Sequence, residues 1–213
     1  MTDMERTQYI LNNSDLSIDE VQEYLDINYA FDTNVGDKFR SQGIIEANKD
    51  IVIPRSKDYL NIKGRIDYSV VPPDGYEIDA TTGKMLKNPI KKNLTGINRV
   101  YDRYGSEFGY YMSQLGATPT TFEQRSLAIV KDETTHHYYM EIGNLADIEG
   151  DINKASLDAR RKAELLIKLC HNGGITNEGR IAAGYNQIGG GIQTHTPLTI
   201  KELIEIGTLR KIR

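Results

Sequence analysis

The sequence has 213 residues, of which 38% are hydrophobic and 26% are charged, and its formal net charge is −4 at pH 7. This length fits one large domain, or one domain with a smaller helper segment, and the composition is polar without being that of a disordered chain. The negative net charge and the lack of a long basic run give no bulk electrostatic case for nucleic-acid binding.

The sequence carries no signal for a membrane span or for a disulfide framework. No apolar run approaches the roughly 20 residues that a membrane-spanning helix needs. The first ten residues lack the apolar core of a signal peptide, so export would need another route or a longer chain. The single cysteine, Cys170, excludes an intrachain disulfide and is expected to be a small buried residue at a helix end.

The N-terminal third begins with a helix signal and ends with a turn signal. Ser17 and Glu20 form a capping-box pattern, and apolar residues at helical spacing then predict a helix from 18 to about 30. A short strand is predicted at Ile51–Ile53. The turn-forming run Pro72–Gly75 precedes an alternating stretch that predicts a hairpin closing at 82–84. We predict a partly helical leader over residues 1–66 and a main domain over residues 67–213.

The main domain mixes short strands with helices. Strands are predicted at Ile97–Tyr101, Ser126–Val130 and Tyr138–Ile142. A helix is predicted over 153–171 because apolar residues follow helical spacing there, namely Ala159, Ala163, Leu166 and Cys170. A last helix begins at Thr199 and ends at Gly207, before a final strand. The irregular order favours an α+β fold, with a compact, mostly antiparallel β core and flanking helices.

Two arginines and a pair of histidines are candidates for chemistry. Arg103 lies beside a glycine turn and could present its planar fork to a phosphate, or it could form an ordinary surface ion pair with Asp102. Arg125 precedes an apolar stretch, where a charged residue also protects a strand edge. His136 and His137 are adjacent, so in a strand at most one of them faces any single site, and they make a poor metal pair.

The stretch "YNQIGGGIQT" places three consecutive glycines before a glutamine, Gln193. Glycines allow a tight turn or a close approach of the backbone to a ligand, because they lack a Cβ. The stretch fits neither dinucleotide fingerprint, since it does not open a helix after a strand and has no Gly-Lys-Ser/Thr sequence. Its apolar flanks argue against a solvated linker.

In this order, "DRYG", "GYY", "TFEQRSL", "HHYYMEI", "GRIAAGYNQIGGGIQ" and "ELIEIGTL" resemble the motifs of the TNT (tuberculosis necrotizing toxin) family of NAD-glycohydrolase toxins. The resemblance covers residues 97–213, with an apparent helical insertion over about 144–178. It implies a toxin domain that hydrolyses NAD(P) at the nicotinamide N-glycosidic bond to give ADP-ribose and nicotinamide. NAD would then be the substrate, and no cofactor or metal is expected.

The resemblance also implies residue roles. The catalytic residues would be Gln193, Arg103 and His137. The substrate-binding residues would be Arg125, Tyr111, Gly190 and Gly191. Spacing from Arg125 places either His136 or His137 at the position of the family histidine, whereas alignment from the end of the strand places Tyr138 there; His137 is favoured. The amide of Gln193 offers both a donor and an acceptor, so it could hold the ribose hydroxyls or position the attacking water.

Two other functions are compatible with the same motifs. An ADP-ribosyltransferase would break the same bond but use a protein acceptor, and a catalytically inactive binding module would keep the fold alone. An NADase toxin would be secreted, would act in the cytosol of a target cell, and would need a cognate immunity protein as partner. The preference for NAD or NADP stays open.

Overall fold

The computed structural model describes residues 1–29, 50–92 and 98–213. They form two compact units. The first comprises Met1–Val70 and Leu127–Thr135, and the second comprises Val71–Ser126 and His136–Arg213. Within the described ranges, no helix combines the length and the apolar character that crossing a membrane requires.

In the described residues of the first unit there are two α-helices, α1 (Asp3–Asn12) and α2 (Ile18–Asn28). Both begin with a capping box, and the one formed by Ser17 and Glu20 confirms the helix predicted from 18. The apolar faces pack into one core, whose buried members are Ile10, Leu16, Val21, Tyr24, Leu25, Ile51, Ile53 and Val130. Arg6 and Asp132 form an ion pair at 2.7 Å in which both side chains are almost fully buried.

Two strands predicted in this part of the chain are wrong. Ile51–Ile53 forms no strand; its two isoleucines are buried core residues, and the chain makes a single antiparallel bridge from Pro54 to Ile129. Ser126–Val130 is likewise irregular apart from that bridge. Short apolar runs signal burial in both cases, but burial alone does not specify a strand.

The second unit holds a seven-stranded sheet within the described residues, with strand order β1-β5-β6-β3-β2-β4-β7. Every pairing is antiparallel. The strands are β1 (Lys87–Pro89), β2 (Val100–Tyr104), β3 (Tyr111–Gln114), β4 (His136–Glu141), β5 (Asn177–Arg180), β6 (Ile192–His195) and β7 (Leu209–Lys211). This sheet with its helices confirms the predicted α+β class.

The part of this unit that the structure describes also has three α-helices: α3 (Ile148–Lys154), α4 (Ala159–His171) and α5 (Ile200–Glu205). Their apolar side chains pack with one face of the sheet, here called the helix face, which contributes Tyr101, Met112, Tyr139 and Leu209 to a shared core. The capping box of Thr199 and Glu202 starts α5 as predicted.

The helix predicted over 153–171 differs from the structure in two ways. The chain breaks between α3 and α4, where Asp158 caps the new helix by accepting from the Arg161 amide at 2.8 Å. The predicted apolar stripe is also wrong, because α4 buries Leu165 and Leu169 while Cys170 is exposed. Leucines bury more apolar area than alanine or cysteine, so they decide which face turns inward.

Other expectations are corrected in detail. The strand predicted at Ile97–Tyr101 lies at Val100–Tyr104, and Ile97 itself is outside the described residues. The predicted hairpin forms around an antiparallel bridge between Ile78 and Met85, with the Leu86 amide donating to the Glu77 carbonyl at 2.8 Å, but neither side is a regular strand. The strand predicted from Tyr138 begins two residues earlier, at His136.

Candidate functional site

The face of the sheet opposite the helix face collects polar and aromatic side chains. Strand pairing sets Asp102 opposite both Ser113 and Tyr138, and Tyr111 opposite His195. Residues paired across neighbouring strands point to the same face of the sheet, and so do residues two positions apart along one strand, because side chains alternate between the two faces. We call this the polar face, and its residues are Asp102, Tyr104, Tyr111, Ser113, His136, Tyr138, Gln193 and His195.

Asp102 is the electrostatic centre of the polar face. Its side chain is only 3% exposed. Nη2 of Arg125 donates to both of its carboxylate oxygens at 2.7 Å, and Nε2 of His136 lies 2.6 Å from Oδ2. A buried carboxylate requires such partners, because an unpaired charge in this position would cost several kcal/mol.

His136 is held on three sides. Its ring stacks on Tyr104 with centroids 4.1 Å apart and an interplanar angle of 11°. Its Nδ1 lies 3.3 Å from the Tyr138 hydroxyl, and its Nε2 faces Asp102. The imidazole therefore has a fixed orientation, with both nitrogens engaged.

Arg125 is the last residue of a short 3-10 turn, Glu123–Arg125, and lies buried over the Tyr104 ring, with Cζ 5.6 Å from the ring centroid. Its side-chain hydrogen bonds to the described residues all use Nη2, which also donates to the Thr120 carbonyl at 3.1 Å. With the residues that the structure describes, Nη1 forms no hydrogen bond, and Nε is buried without a hydrogen-bond partner. The guanidinium thus keeps donors for another group.

Gln193 is half-buried in β6, and its amide is oriented by one hydrogen bond. Its Nε2 donates to the Asp74 carbonyl at 2.7 Å. That carbonyl belongs to the Pro73–Gly75 turn, where Asp74 and Gly75 both have positive φ. Oε1 of Gln193 accepts no hydrogen bond from the residues that the structure describes. The fixed amide therefore presents a spare acceptor.

His195 lies two residues after Gln193 and stacks on Tyr111, with centroids 4.6 Å apart and an interplanar angle of 16°. Burial lowers the pKa of His195 below its ordinary value of 6.5; the Lys87 ammonium acts in the same direction and the Asp74 carboxylate against it. The imidazole is consequently neutral at pH 7 and forms a flat, uncharged pair with the phenol ring.

The three glycines shape the entry to β6. Gly189 and Gly190 have φ of +64° and +82°, which glycine adopts without strain. Gly191 packs against the turn that carries Arg125: its Cα faces the Thr120 methyl, and its amide donates to the Gln124 carbonyl at 3.2 Å. The glycines thus bring the β6 entry close to the Arg125 turn.

Arg103 and His137 lie on the helix face. They are register partners on β2 and β4, and they alternate with Asp102 and His136. His137 is 2% exposed. The Arg103 guanidinium packs against Gly109, and Nη1 donates to the Tyr111 carbonyl at 2.8 Å.

The predicted site residues are therefore divided between two faces. The polar face brings together Tyr111, Arg125 and Gln193, with Gly190 and Gly191 leading into β6. The structure does not bring the Arg103 and His137 side chains to that face. Among the described residues, no group of three or more His, Cys, Asp or Glu side chains could hold a metal ion.

No protein-family model matches the sequence, and no curated protein sequence matches it. Among solved structures, the chain is similar to tuberculosis necrotizing toxin (TNT) complexed with its immunity factor IFT. The TM-score is 0.43 and the sequence identity is 20%, and the match covers 71% of this chain and 65% of that chain. No family is identified at this level of similarity.

Three residues of the polar face were not singled out from the sequence. The sequence suggests Asp102 only as a surface partner of Arg103, whereas its partners are Arg125 and His136. His195 and Ser113 carried no motif of their own. Strand alternation from Gln193 would have found His195, since residues two apart in a strand share a face. The partners of Asp102 required the register between strands, which the sequence does not encode locally.

Proposed function

We propose that this chain hydrolyses NAD(P) at the nicotinamide N-glycosidic bond, as the ordered motifs of residues 97–213 imply. One observation supports the proposal above others. Tyr111 on β3 and Gln193 on β6 have their side chains on the polar face, and Arg125, from the Glu123–Arg125 turn, pairs with Asp102 of the same face. The motif resemblance implies substrate binding for Tyr111 and Arg125 and a catalytic role for Gln193. Such convergence of aromatic, cationic and amide groups suits a ligand with a flat ring, phosphates and sugar hydroxyls.

Arg125 is the proposed contact for the diphosphate. Its Nη1 is not used by the described residues, and guanidinium donors form strong, charge-assisted hydrogen bonds with phosphate oxygens. The Asp102 carboxylate anchors the other side of the same guanidinium. That anchor fixes the direction in which the remaining donors point.

Gln193 is the proposed contact for the reacting sugar. Its Nε2 is held by the Asp74 carbonyl, so Oε1 is left to accept from a ribose hydroxyl or from the attacking water. Cleavage breaks the C1′–N bond, whose electrons leave with neutral nicotinamide; water adds to C1′ and releases a proton. Asp102 is already engaged by the Arg125 guanidinium and the His136 imidazole, so a carboxylate nucleophile is not part of the proposal.

The Tyr111–His195 pair is the proposed surface for the nicotinamide ring. The ring is cationic before cleavage, and a cation is attracted to the face of an aromatic side chain. Burial lowers the pKa of His195, so the imidazole stays neutral and does not repel that cation. Catalysis would then rest on orientation and on fixed dipoles.

Nicotinamide release from NAD by the purified chain tests the proposal, with Gln193→Ala beside the wild type. Removing one preorganised hydrogen-bonding group typically reduces turnover by about 10²–10³-fold. Gln114→Ala is the matched control, because Gln114 lies in β3 on the helix face. Wild-type turnover in Gln193→Ala would overturn the assigned role, and no release by the wild type would overturn the proposed reaction.

Labelled NAD distinguishes hydrolysis from transfer in the same assay. Free ADP-ribose is the expected product, whereas label on protein would indicate an ADP-ribosyltransferase. NADP is tested in parallel to settle the preference for either dinucleotide.

We further propose that the chain acts as a toxin in the cytosol of a target cell after secretion, and that its producer carries a cognate immunity protein. Unchecked NAD hydrolysis would deplete the producer's own NAD, which is the reason for both proposals. Growth arrest on cytosolic expression of the wild type, absent for Gln193→Ala, is the expected result. Growth at the normal rate with the wild type would contradict the toxin role.

A further inference from the structure

A chain of four side chains crosses the polar face: Tyr138, His136, Asp102 and Arg125. Its links are Tyr138 hydroxyl to His136 Nδ1 at 3.3 Å, His136 Nε2 to Asp102 at 2.6 Å, and Asp102 to Arg125 Nη2 at 2.7 Å. The middle is closed to solvent, because the side chains of Asp102 and His136 are 3% and 10% exposed. Both ends carry polar atoms with hydrogen-bonding capacity to spare.

The carboxylate dictates which imidazole nitrogen carries the proton. An ionised carboxylate only accepts, so Nε2 of His136 must be the donor in the 2.6 Å contact. In the neutral imidazole, Nδ1 is then an acceptor, and the Tyr138 hydroxyl donates to it. The Tyr138 oxygen can still accept a hydrogen bond from a group that is not one of these four side chains.

The carboxylate also sets the pose of Arg125. Because Nη2 is taken by both oxygens of Asp102, the guanidinium cannot rotate without breaking two charge-assisted bonds. Nη1 is consequently held in one direction, with Cζ of the same guanidinium 5.6 Å from the Tyr104 ring centroid. A single buried charge thus fixes groups at opposite ends of the polar face.

We propose that Asp102 is a positioning residue, which aims Arg125 Nη1 at a phosphate oxygen and fixes His136 so that the Tyr138 oxygen accepts from a sugar hydroxyl. The inference rests on the proposed function, because it names the groups that hold the two parts of the dinucleotide. Tyr138 is the half-buried end of this series of four side chains, and Arg213 lies beside its ring, with Cζ 5.4 Å from the ring centroid.

Asp102→Asn tests the inference, since it keeps the shape of the side chain and removes its charge. We expect nicotinamide release to fall by about 100-fold or more, the loss typical of removing a preorganised hydrogen-bonding contact. KM should rise as well as kcat fall, because Arg125 loses its anchor. The matched control is Glu141→Gln: Glu141 is also a buried carboxylate, pairs with Arg99 at 2.5 Å and faces the helix side.

Two further measurements keep the inference testable if Asp102→Asn folds poorly. Tyr138→Phe removes only the terminal hydroxyl and should raise KM by about 3- to 10-fold, the effect of one hydrogen bond. Nitrogen-15 NMR of the wild type should show His136 protonated at Nε2 when neutral. This readout reports the Asp102 contact whether or not NAD is the substrate.

The outcomes separate the two proposals. If the wild type releases nicotinamide but Asp102→Asn matches Glu141→Gln, the positioning role is overturned and the reaction stands. Wild-type kinetics in Tyr138→Phe would overturn the sugar contact, and His136 protonated at Nδ1 would overturn the whole chain of contacts. If the wild type releases no nicotinamide, the proposed reaction fails, and the NMR tautomer still decides whether Asp102 fixes His136.

Discussion

Alanine at each of the three consecutive glycines should destabilise the protein by different amounts, because each glycine is constrained differently. Gly190 has φ +82°, but a Cβ there would meet only Arg180 Nη2, at 3.5 Å. Gly189 has φ +64°, and its Cβ would also lie 2.6 Å from backbone atoms of Ala182 and Ala183. Gly191 has no positive φ, yet its Cβ would meet the Thr120 methyl and the Gln124 carbonyl.

The expected costs follow from these two effects. A non-glycine residue in a left-handed backbone conformation costs about 1–2 kcal/mol of stability, and we expect Gly190→Ala to lose only this amount. Overpacking costs about 1–3 kcal/mol, which is the expectation for Gly191→Ala. Gly189→Ala combines both effects, for a total of about 2–5 kcal/mol. In a chain of this length each kcal/mol lowers the melting temperature by about 2–4 °C.

Thermal unfolding of the full-length variants measures this series. Gly83→Ala isolates the cost of the left-handed backbone, because Gly83 has φ +68° with no atom within 4 Å of an added Cβ. Gly116→Ala has open space and no positive φ, and it should leave stability unchanged or slightly raised. The close packing of Gly189 would be refuted by a melting temperature equal to that of Gly83→Ala.

Two further predictions concern histidines of the sheet. Burial lowers the pKa of His195 in the folded protein, so at a pH below its ordinary value of 6.5 the unfolded chain binds more protons than the folded one. The free energy of unfolding should therefore fall as the pH drops from 7 toward 5. In His195→Gln the melting temperature should depend less on pH over this range. His136→Gln should reduce nicotinamide release more than His137→Gln, since only His136 contacts Asp102 on the polar face; equal losses of turnover would contradict this assignment.

Local signals account for the elements that the sequence predicted. The capping boxes that begin at Ser17 and Thr199 require residues only three positions apart, so they can be read without knowing the fold. The same holds for β4, whose alternating burial is encoded within one segment. Where burial depended on partners distant in sequence, as for Leu165 and Leu169 in α4, the predicted face was wrong.

The division of the chain into two compact units could not be predicted, because it depends on contacts that no local sequence pattern reveals. Leu127–Thr135 belongs to the first compact unit although it lies within the sequence of the main domain. Its contacts there are specific: Asp132 pairs with Arg6, and the Val130 amide donates to the Ile53 carbonyl at 2.7 Å. These partners are far apart in sequence, so neither periodicity nor composition could reveal them.

The alternation of side chains between the two faces of the sheet explains why the site was only partly predictable. Resemblance to motifs identifies residue types, but a one-residue shift along a strand moves a side chain to the other face. Arg103 and His137 are register partners, as are Tyr104 and His136, and the two pairs lie on opposite faces. Only one pair can share a face with Gln193.

The buried charge of Asp102 resolves that ambiguity on physical grounds. A carboxylate this deeply buried requires cationic or donor partners on its own face, and it has them in Arg125 and His136. Adjacent Arg103 cannot serve, because neighbouring residues in a strand point apart. The contacts of Asp102, the residue next to Arg103, therefore show that His136, and not His137, shares the polar face with Gln193.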